Sequence, residues 1–253
     1  MKILVSPAKT MDYKTDLPID TYTQPKFIKE AEELNNTLKA LSKKEMSALM
    51  KISDNLTNLN YDRVRNFTLP FTTENARPAV FAFSGDVYVG LDAYTLPKSK
   101  FDLLQERLRI LSGMYGVLRP LDLMQPYRLE MGTRLKVNGA ANLYEYWGNS
   151  LTDMLNKEMK DDELLVNLAS NEYFKVINKK KLKAKLVTPI FKDFKNGELK
   201  IIAFYAKKAR GSMARYLVEN DITDLDGIRS FDVDGYTFSE SETTDSCNPV
   251  FIR

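Results

Sequence analysis

Histidine is absent from the 253 residues of the chain, and cysteine occurs only once, as Cys247. Without imidazole, Ser-His and Cys-His nucleophile pairs, histidine zinc sites and the Glu-x-x-His motif of di-iron bundles are all excluded. A lone cysteine forms no internal disulfide, which fits a reducing compartment and argues against a thiolate metal cluster. Any metal would have to bind through carboxylate and carbonyl oxygen. We therefore expect no cofactor and no dedicated metal site.

Long apolar segments are also missing. No stretch approaches the roughly 20 apolar residues that cross a bilayer. The first residues, Met1–Pro7, run into Lys9 without the long apolar middle and cleavage site of a signal peptide. We therefore expect a cytoplasmic protein without membrane contact. With 43% hydrophobic residues, the chain can bury a core as a single domain over residues 1–253 or as two interlocked lobes.

Basic residues are concentrated in one part of the chain, although the net charge is only +3. Between Glu172 and Arg215, lysine and arginine far outnumber acids, whereas the sequence from Tyr216 onward is mainly acidic. Such segregation indicates a positive face for an anionic partner. The run Lys179–Lys185, taken alone, fits an ordinary solvated lysine surface equally well.

Hydrophobic periodicity and turn residues predict helices and strands in mixed order. The predicted helices are Phe27–Leu41, one capped by Ser42 and Glu45, Ser53–Phe67, Lys98–Leu111, Leu143–Met159, Asn171–Ile177 and Ala206–Glu219. The predicted strands are Lys2–Val5, Ala79–Phe83, Leu164–Leu168 and a hairpin of Lys185–Phe194 with Leu199–Tyr205, joined at Asn196-Gly197. The lack of strict alternation favours a compact α+β fold over a doubly wound sheet.

The helix after the hairpin is the first candidate for chemistry. At about 100° per residue, Lys207, Lys208, Gly211 and Arg215 gather on one side, with Arg210 flanking them. Glycine costs roughly 1 kcal/mol of helix stability there, yet it would let a phosphate backbone approach closely. Arginine grips phosphate with two parallel hydrogen bonds. The alternative is a solvated face on an ordinary helix.

The segment Leu108–Pro120 is the second candidate. It combines a helix, a turn with Gly113 and Gly116, and the beginning of a second apolar segment. This order resembles a helix-hairpin-helix, in which the backbone amides of the turn contact DNA phosphates without reading bases. The two glycines are separated by two residues instead of the usual one, and Pro120 leaves little room for a second helix. A helix end followed by a loop is the alternative.

Polar residues at strand ends form the third candidate. Small residues with Lys9 follow the first strand at 6–10, and a glycine follows another strand at 83–86, although neither carries a Walker or dinucleotide glycine pattern. The acids that could serve as a general base or a metal ligand are Asp86, Glu130 and Glu172. Ion pairing to a nearby arginine accounts for such acids more often than catalysis does.

Several strings carry a family resemblance. They are Ser-Pro-Ala-Lys-Thr (6–10), Gly-Asp-Val-Tyr (85–88), Leu-Ser-Gly-Met-Tyr-Gly-Val-Leu-Arg-Pro-Leu-Asp (111–122), Pro-Tyr-Arg-Leu-Glu-Met-Gly (126–132), Asn-Leu-Ala-Ser-Asn-Glu-Tyr-Phe (167–174) and Tyr-Ala-Lys-Lys-Ala-Arg-Gly (205–211). In matching order over nearly the whole chain, they resemble the YaaA family. The segment Thr243–Arg253 shows the least correspondence.

This resemblance implies a bacterial cytoplasmic protein of the hydrogen-peroxide response. Such a protein limits free intracellular iron and so protects DNA and proteins from Fenton damage. The resemblance also implies a compact α+β fold with a deep positively charged cleft and a helix-hairpin-helix element that is used on duplex or branched DNA. The familiar di-iron route to iron storage is not available to a chain without histidine.

Our leading interpretation is a DNA-binding protein, rather than an enzyme, that reads shape and not sequence. The residues expected to contact phosphate are Lys9, Arg109, Gly113, Gly116, Arg119, Arg128, Arg134, Lys175, Lys207, Lys208, Arg210, Gly211 and Arg215. This interpretation requires that these cations meet in one groove and are not neutralised by acidic neighbours.

Two other interpretations stay open. In one, the protein is an enzyme that acts on a nucleotide-like or other phosphorylated small molecule. Lys9 and Arg210 would then hold the phosphate, and Asp86, Glu130 or Glu172 would supply a base or bind magnesium. In the other, carboxylates sequester iron directly. The sequence leaves the oligomeric state open.

Overall fold

The computed structural model describes all residues, Met1–Arg253. Its helices are α1 (Ile28–Lys39), α2 (Lys43–Met50), α3 (Asp54–Asn66), α4 (Ala79–Ala82), α5 (Asp86–Leu91), α6 (Phe101–Arg107), α7 (Leu143–Trp147), α8 (Ser150–Glu158), α9 (Asn171–Phe174), α10 (Ala203–Glu219) and α11 (Leu225–Arg229). Its strands are β1 (Lys2–Val5), β2 (Thr10–Met11), β3 (Arg77–Pro78), β4 (Phe83–Ser84), β5 (Leu108–Ser112), β6 (Gly116–Leu118), β7 (Leu123–Met124), β8 (Leu164–Asn167), β9 (Lys185–Val187), β10 (Ile190–Lys195), β11 (Glu198–Lys200), β12 (Thr237–Ser239) and β13 (Val250–Ile252). Short 3₁₀ turns lie at Ala93–Thr95, Lys98–Lys100 and Val233–Gly235.

A five-stranded sheet in the order β6-β5-β1-β8-β9 forms the centre of the molecule. The strands β5, β1, β8 and β9 are parallel, and β6 joins the edge in an antiparallel orientation. Every residue of β1 is buried, as expected for the continuous apolar run of a strand covered on both faces. The predicted compact mixed fold is confirmed, and the mainly parallel pairing of its central sheet is a feature that the order of elements did not predict.

The connections of this sheet change direction between β1 and β8. From β1 the chain crosses to β5 on one side, and from β8 it crosses to β9 on the other side. Parallel sheets open a crevice at the carboxyl ends of the two strands where this happens, and ligands bind there. The segments after Val5 and after Asn167 are therefore at the position where a binding site is expected.

A second sheet, in the order β11-β10-β13-β12, contains the predicted hairpin. Asn196 and Gly197 both have positive φ, at 55° and 82°, as a two-residue hairpin turn requires. The predicted strand Lys185–Phe194 divides into β9 and β10, which belong to different sheets. The end of the chain, within the segment that least resembles the family, supplies β13 between β10 and β12.

Several predicted helices are confirmed within a few residues. The capping box of α2 is present, because the Ser42 hydroxyl accepts from the Glu45 N–H while the Glu45 carboxylate accepts from the Ser42 N–H. The helix after the hairpin begins three residues earlier than predicted, at Ala203. The predicted helix Leu143–Met159 is divided into α7 and α8 at Gly148, which has a φ of 49°. None of the helices combines the length and apolar composition of a membrane crossing.

The helix-hairpin-helix predicted in Leu108–Pro120 is wrong for that segment. The helix ends at Arg107, and Leu108–Ser112 continues as strand β5, which pairs with β1 and with β6. This apolar segment satisfies its backbone in the sheet and is completely buried, so tertiary pairing overrides its helical spacing. The predicted strand Ala79–Phe83 is also corrected, because its first four residues form helix α4.

Candidate functional site

A polar cavity of about 500 Å³ lies at the crevice between β1 and β8. Its wall consists of residues 6–10 after β1, residues 84–88 at the end of β4 and the start of α5, Glu130, three residues after β8 (Ser170, Glu172 and Tyr173), and two side chains of α10. The segments at the ends of β1, β4 and β8 meet here. The end of β4 is held beside the end of β1 because β2, which follows β1, pairs with β4. The strand ends that the sequence marked as polar therefore converge on one site.

Hydrogen bonds tie the segments after β1 and β8 together. The Ser170 N–H donates to the Ser6 hydroxyl at 2.8 Å, and the two hydroxyls are 3.3 Å apart. The Tyr88 hydroxyl of α5 donates to the Ser6 carbonyl at 3.1 Å. The wall of the cavity is thus built from backbone and hydroxyl groups whose positions are set by their neighbours.

All three candidate acids line this cavity, each in a different environment. Glu130 accepts from the Arg128 guanidinium at 3.0 Å and lies 3.2 Å from the Lys9 ammonium. Glu172 accepts from the Gly132 N–H at 3.0 Å, and Asp86 has no ion pair. No group of three or more acidic or cysteine side chains lies close enough together to hold a metal ion.

Tyr173 lies among these carboxylates. Burial, together with the charges of Glu172 and Glu130 nearby, holds the pKa of its phenol far above the usual value. The phenol therefore stays neutral beside these carboxylates.

Helix α10 contributes two cations to the cavity, Lys207 and Arg210. Neither is hydrogen-bonded or ion-paired to a protein side chain, and burial lowers the pKa of the Arg210 guanidinium without any acidic neighbour to oppose the shift. A half-buried cation without an internal partner is costly to maintain. An anion bound in the cavity would supply the missing partner.

The other predicted residues of α10 do not share this face. Gly211 is buried against α5, because a β-carbon there would lie 1.8 Å from the Val87 carbonyl oxygen. Lys208 donates to Asp234 at 2.8 Å in a separate groove, where Arg215 donates to Glu219 at 2.8 Å and to the Asp92 carbonyl at 2.6 Å. The prediction of one continuous basic face on α10 is therefore wrong.

The residues of the predicted helix-hairpin-helix are not available to a phosphate backbone either. Arg109 is 4% exposed and donates to Glu158 at 2.9 Å, and Arg119 forms a 2.9 Å ion pair with buried Asp122. Gly113 and Gly116 are buried in the β5–β6 turn, where Gly116 contacts the Trp147 ring. Of the predicted cations outside α10, only Arg134 and Lys175 are exposed without an ion pair.

A family model described as "Peroxide stress protein YaaA" matches residues 1–242. The chain belongs to the YaaA family. It is 56% identical to a UPF0246 protein of Flavobacterium psychrophilum over 94% of each chain, and 53% identical to one of Flavobacterium johnsoniae over both full lengths. A UPF0246 protein of Aliivibrio fischeri is 54% identical over 96% of this chain and 95% of its own.

In this YaaA-family protein the largest group of unpaired cations lies between α9 and β9. We call residues 175–185 the lysine loop. Its exposed cations are Lys175, Lys179, Lys180, Lys181, Lys183 and Lys185. Only Lys183 has an ion pair, at 3.6 Å to Asp161. The sequence showed that this segment is rich in lysine, but it fitted a binding surface and an ordinary solvated surface equally well.

Neutral side chains hold the backbone of the lysine loop. The Asn178 N–H donates to the Thr152 hydroxyl, and the Asn178 amide donates to Asn149, both at 2.9 Å. The amide of Asn156 donates to the Lys181 carbonyl at 2.8 Å and accepts from the Lys183 N–H at 3.0 Å. Helix α8 therefore fixes the loop without neutralising its lysines.

Proposed function

We propose that this YaaA-family protein serves the peroxide response by binding DNA, and that the lysine loop makes the phosphate contacts. The single observation that supports the proposal is a fixed loop with six exposed lysines, of which only Lys183 is ion-paired. Lysines attract phosphate as point charges, and a phosphate contact carries no sequence information. The expected mode is therefore binding to duplex or branched DNA by charge and shape.

The internal ion pairs are the reason why the proposal excludes most of the cations predicted earlier. Arg215 would have to leave Glu219 and two backbone carbonyls before it could bind a phosphate. Lys208 would likewise have to leave Asp234. Each exchange replaces one charged hydrogen bond with another and gains little. Lys180, Lys181 and Lys185 have no such partner and would lose only water and counterions.

The salt dependence of DNA affinity tests the proposal. If all six lysines neutralise a phosphate, the slope of log affinity against log salt should be about −5 for duplex DNA. The variant Lys179→Gln/Lys180→Gln/Lys181→Gln should reduce the magnitude of that slope by about 2.7, and it should weaken binding to different sequences equally.

A matched control removes the same charge elsewhere. Lys29, Lys39 and Lys44 are exposed on α1 and α2 and have no ion pair. The variant Lys29→Gln/Lys39→Gln/Lys44→Gln should retain the wild-type slope. Equal slopes for the two triple variants would refute the lysine loop as the DNA surface.

The proposed role in the cell is to protect DNA and to lower the level of free intracellular iron. Iron content after aerobic purification separates this role from direct sequestration. A protein that acts through DNA should carry far less than one iron per chain, whereas stoichiometric iron would support a carboxylate store.

A further inference from the structure

The cavity between β1 and β8 has a composition that DNA binding by the lysine loop does not explain. Two of its cations, Lys207 and Arg210, come from α10, and the third, Lys9, is paired with Glu130. Its acids lie in the first turns of α5 and α9 and in the loop after β7. Hydroxyl groups of Ser6, Ser84 and Ser170 lie between them in the wall. The cavity thus offers charge of both signs together with many hydrogen-bonding groups.

Arg210 differs from the other arginines of the protein. Every other arginine that is buried or half-buried donates at least one hydrogen bond to a protein oxygen. Arg210 is half-buried and donates none. Desolvation of a guanidinium is offset only when a hydrogen-bonding anion replaces the lost water. The fold therefore keeps a phosphate or carboxylate receptor free at this point.

The packing of α5 on α10 fixes the position of this receptor. A β-carbon on Gly90 would lie 2.1 Å from the Lys208 carbonyl oxygen, and one on Gly211 would lie 1.8 Å from the Val87 carbonyl oxygen. The two helices are thus in backbone contact, which brings Arg210 beside the Gly85-Asp86 corner. A receptor held in this way is organised before its ligand arrives, which lowers the entropy lost on binding.

The rest of the lining indicates the body of the ligand. Glu130 and Glu172 each have one carboxylate oxygen engaged by the protein, and their other oxygens are available to accept hydrogen bonds from hydroxyl groups. The volume of about 500 Å³ is in the range of small-molecule sites. We propose that this cavity binds a phosphate monoester on a hydroxyl-rich body, with Arg210 and Lys207 on the phosphate and Glu130 and Glu172 on the hydroxyls.

Sugar phosphates and nucleotides share this chemistry, and binding measurements distinguish them. Ribose 5-phosphate and adenosine 5′-monophosphate are titrated against the full-length protein by calorimetry, with ribose, adenosine and inorganic phosphate as comparisons. At least one of the two phosphate esters should bind about tenfold or more tightly than its unphosphorylated counterpart and than inorganic phosphate. The proposal would be overturned if neither ester bound more tightly than its unphosphorylated counterpart, or if neither ester bound at all.

The variant Arg210→Gln separates a ligand receptor from a structural residue. It should weaken binding of the phosphate ester by about tenfold or more, while the melting temperature of the unliganded protein stays the same or rises. A structural arginine would instead lower that melting temperature on replacement. Wild-type affinity in Arg210→Gln would contradict the assignment.

Two control variants complete the test. Lys208→Gln lies on the same helix but faces the other groove, and it should bind the phosphate ester as the wild type does. The lysine-loop variant Lys179→Gln/Lys180→Gln/Lys181→Gln should also bind the ester normally, even if it has lost DNA. Loss of ester binding in either variant would mean that the cavity is not the site.

Discussion

At the scale of single residues, the most informative property of a cation here is its partner. Arg109, Arg119, Arg128 and Arg215 all look available in the sequence, yet each has an acid within 3.0 Å in the folded chain. The partner of Arg109, Glu158, is distant in sequence, whereas the other three acids lie only two to four residues from the arginines that they neutralise. The residues that remain free are the ones that can bind an anion without first breaking a contact.

Gly211 gives a residue-scale prediction. Alanine should lower the free energy of unfolding by about 2 kcal/mol or more, because its β-carbon meets the Val87 carbonyl and forces α5 away. A solvent-facing glycine would behave in the opposite way and would gain about 1 kcal/mol of helix propensity. Denaturant unfolding of Gly211→Ala, with Asn36→Ala on the exposed face of α1 as the control, measures the sign. Stabilisation by Gly211→Ala would contradict the packing described here.

At the scale of elements, α10 connects the two sheets. Two of its side chains, the Lys208 ammonium and the Ser212 hydroxyl, donate hydrogen bonds to the Asp234 carboxylate. Asp234 lies in the 3₁₀ turn before β12. Burial alone would raise the pKa of Asp234, but these two hydrogen bonds outweigh it and hold the pKa below its usual value. The carboxylate is therefore more stable in the folded state than in the unfolded one.

The pH dependence of Asp234→Asn follows from this shift. Asparagine tolerates the left-handed φ of 57° at this position, so the substitution removes mainly the charge. At pH 7 the variant should be about 1 kcal/mol less stable than the wild type. Because the folded pKa is depressed, the difference should persist above about pH 4 and disappear as the pH falls below that value.

Thermal unfolding between pH 3 and pH 7 checks this prediction, with exposed Asp20→Asn as the control. A difference that stays constant down to the lowest pH would show that the Asp234 charge does not link α10 to the turn before β12.

Elements also show how tertiary pairing changes local preference. Leu108–Ser112 has the spacing of a helix that continues from α6, but it lies between β1 and β6 and is buried on both faces. A strand satisfies the backbone of this segment through both neighbours, whereas a helix would leave the edge of β1 unpaired. The same pairing turns Gly113 and Gly116 into parts of a buried turn and removes the predicted DNA contact.

At the scale of the whole molecule, the lysine loop and the cavity are separate surfaces that a cellular assay can distinguish. A bacterial strain that lacks the protein is complemented with the wild type, with Lys179→Gln/Lys180→Gln/Lys181→Gln or with Arg210→Gln. If DNA binding protects the cell, the lysine-loop variant should fail to restore survival in hydrogen peroxide, with equal protein levels verified by immunoblot. Full rescue by that variant would exclude the lysine loop from the peroxide response.

Local signals in the chain were sufficient to predict several elements. Residues that are close in the chain produce the capping box of α2, the Asn196-Gly197 turn and the buried apolar run of β1. The family resemblance depends on strings of residues in matching order. The absence of histidine likewise excluded imidazole chemistry before any fold was considered. Polar residues at strand ends were also recognised, and the enzyme interpretation placed Lys9, Arg210 and the three candidate acids in one site, as the cavity does.

Which cations are free, and which way they face, depends on the folded chain. Glu158 neutralises Arg109 and Asp234 neutralises Lys208 because the fold brings these distant residues together, and the contact of α5 with α10 separates Lys207 and Arg210 from Lys208 and Arg215. For residues that are far apart in the chain, an ion pair depends on distance and burial, which have no signature in the order of residues. The lysine loop and the cavity therefore emerged from the fold, although their residues were visible in the sequence.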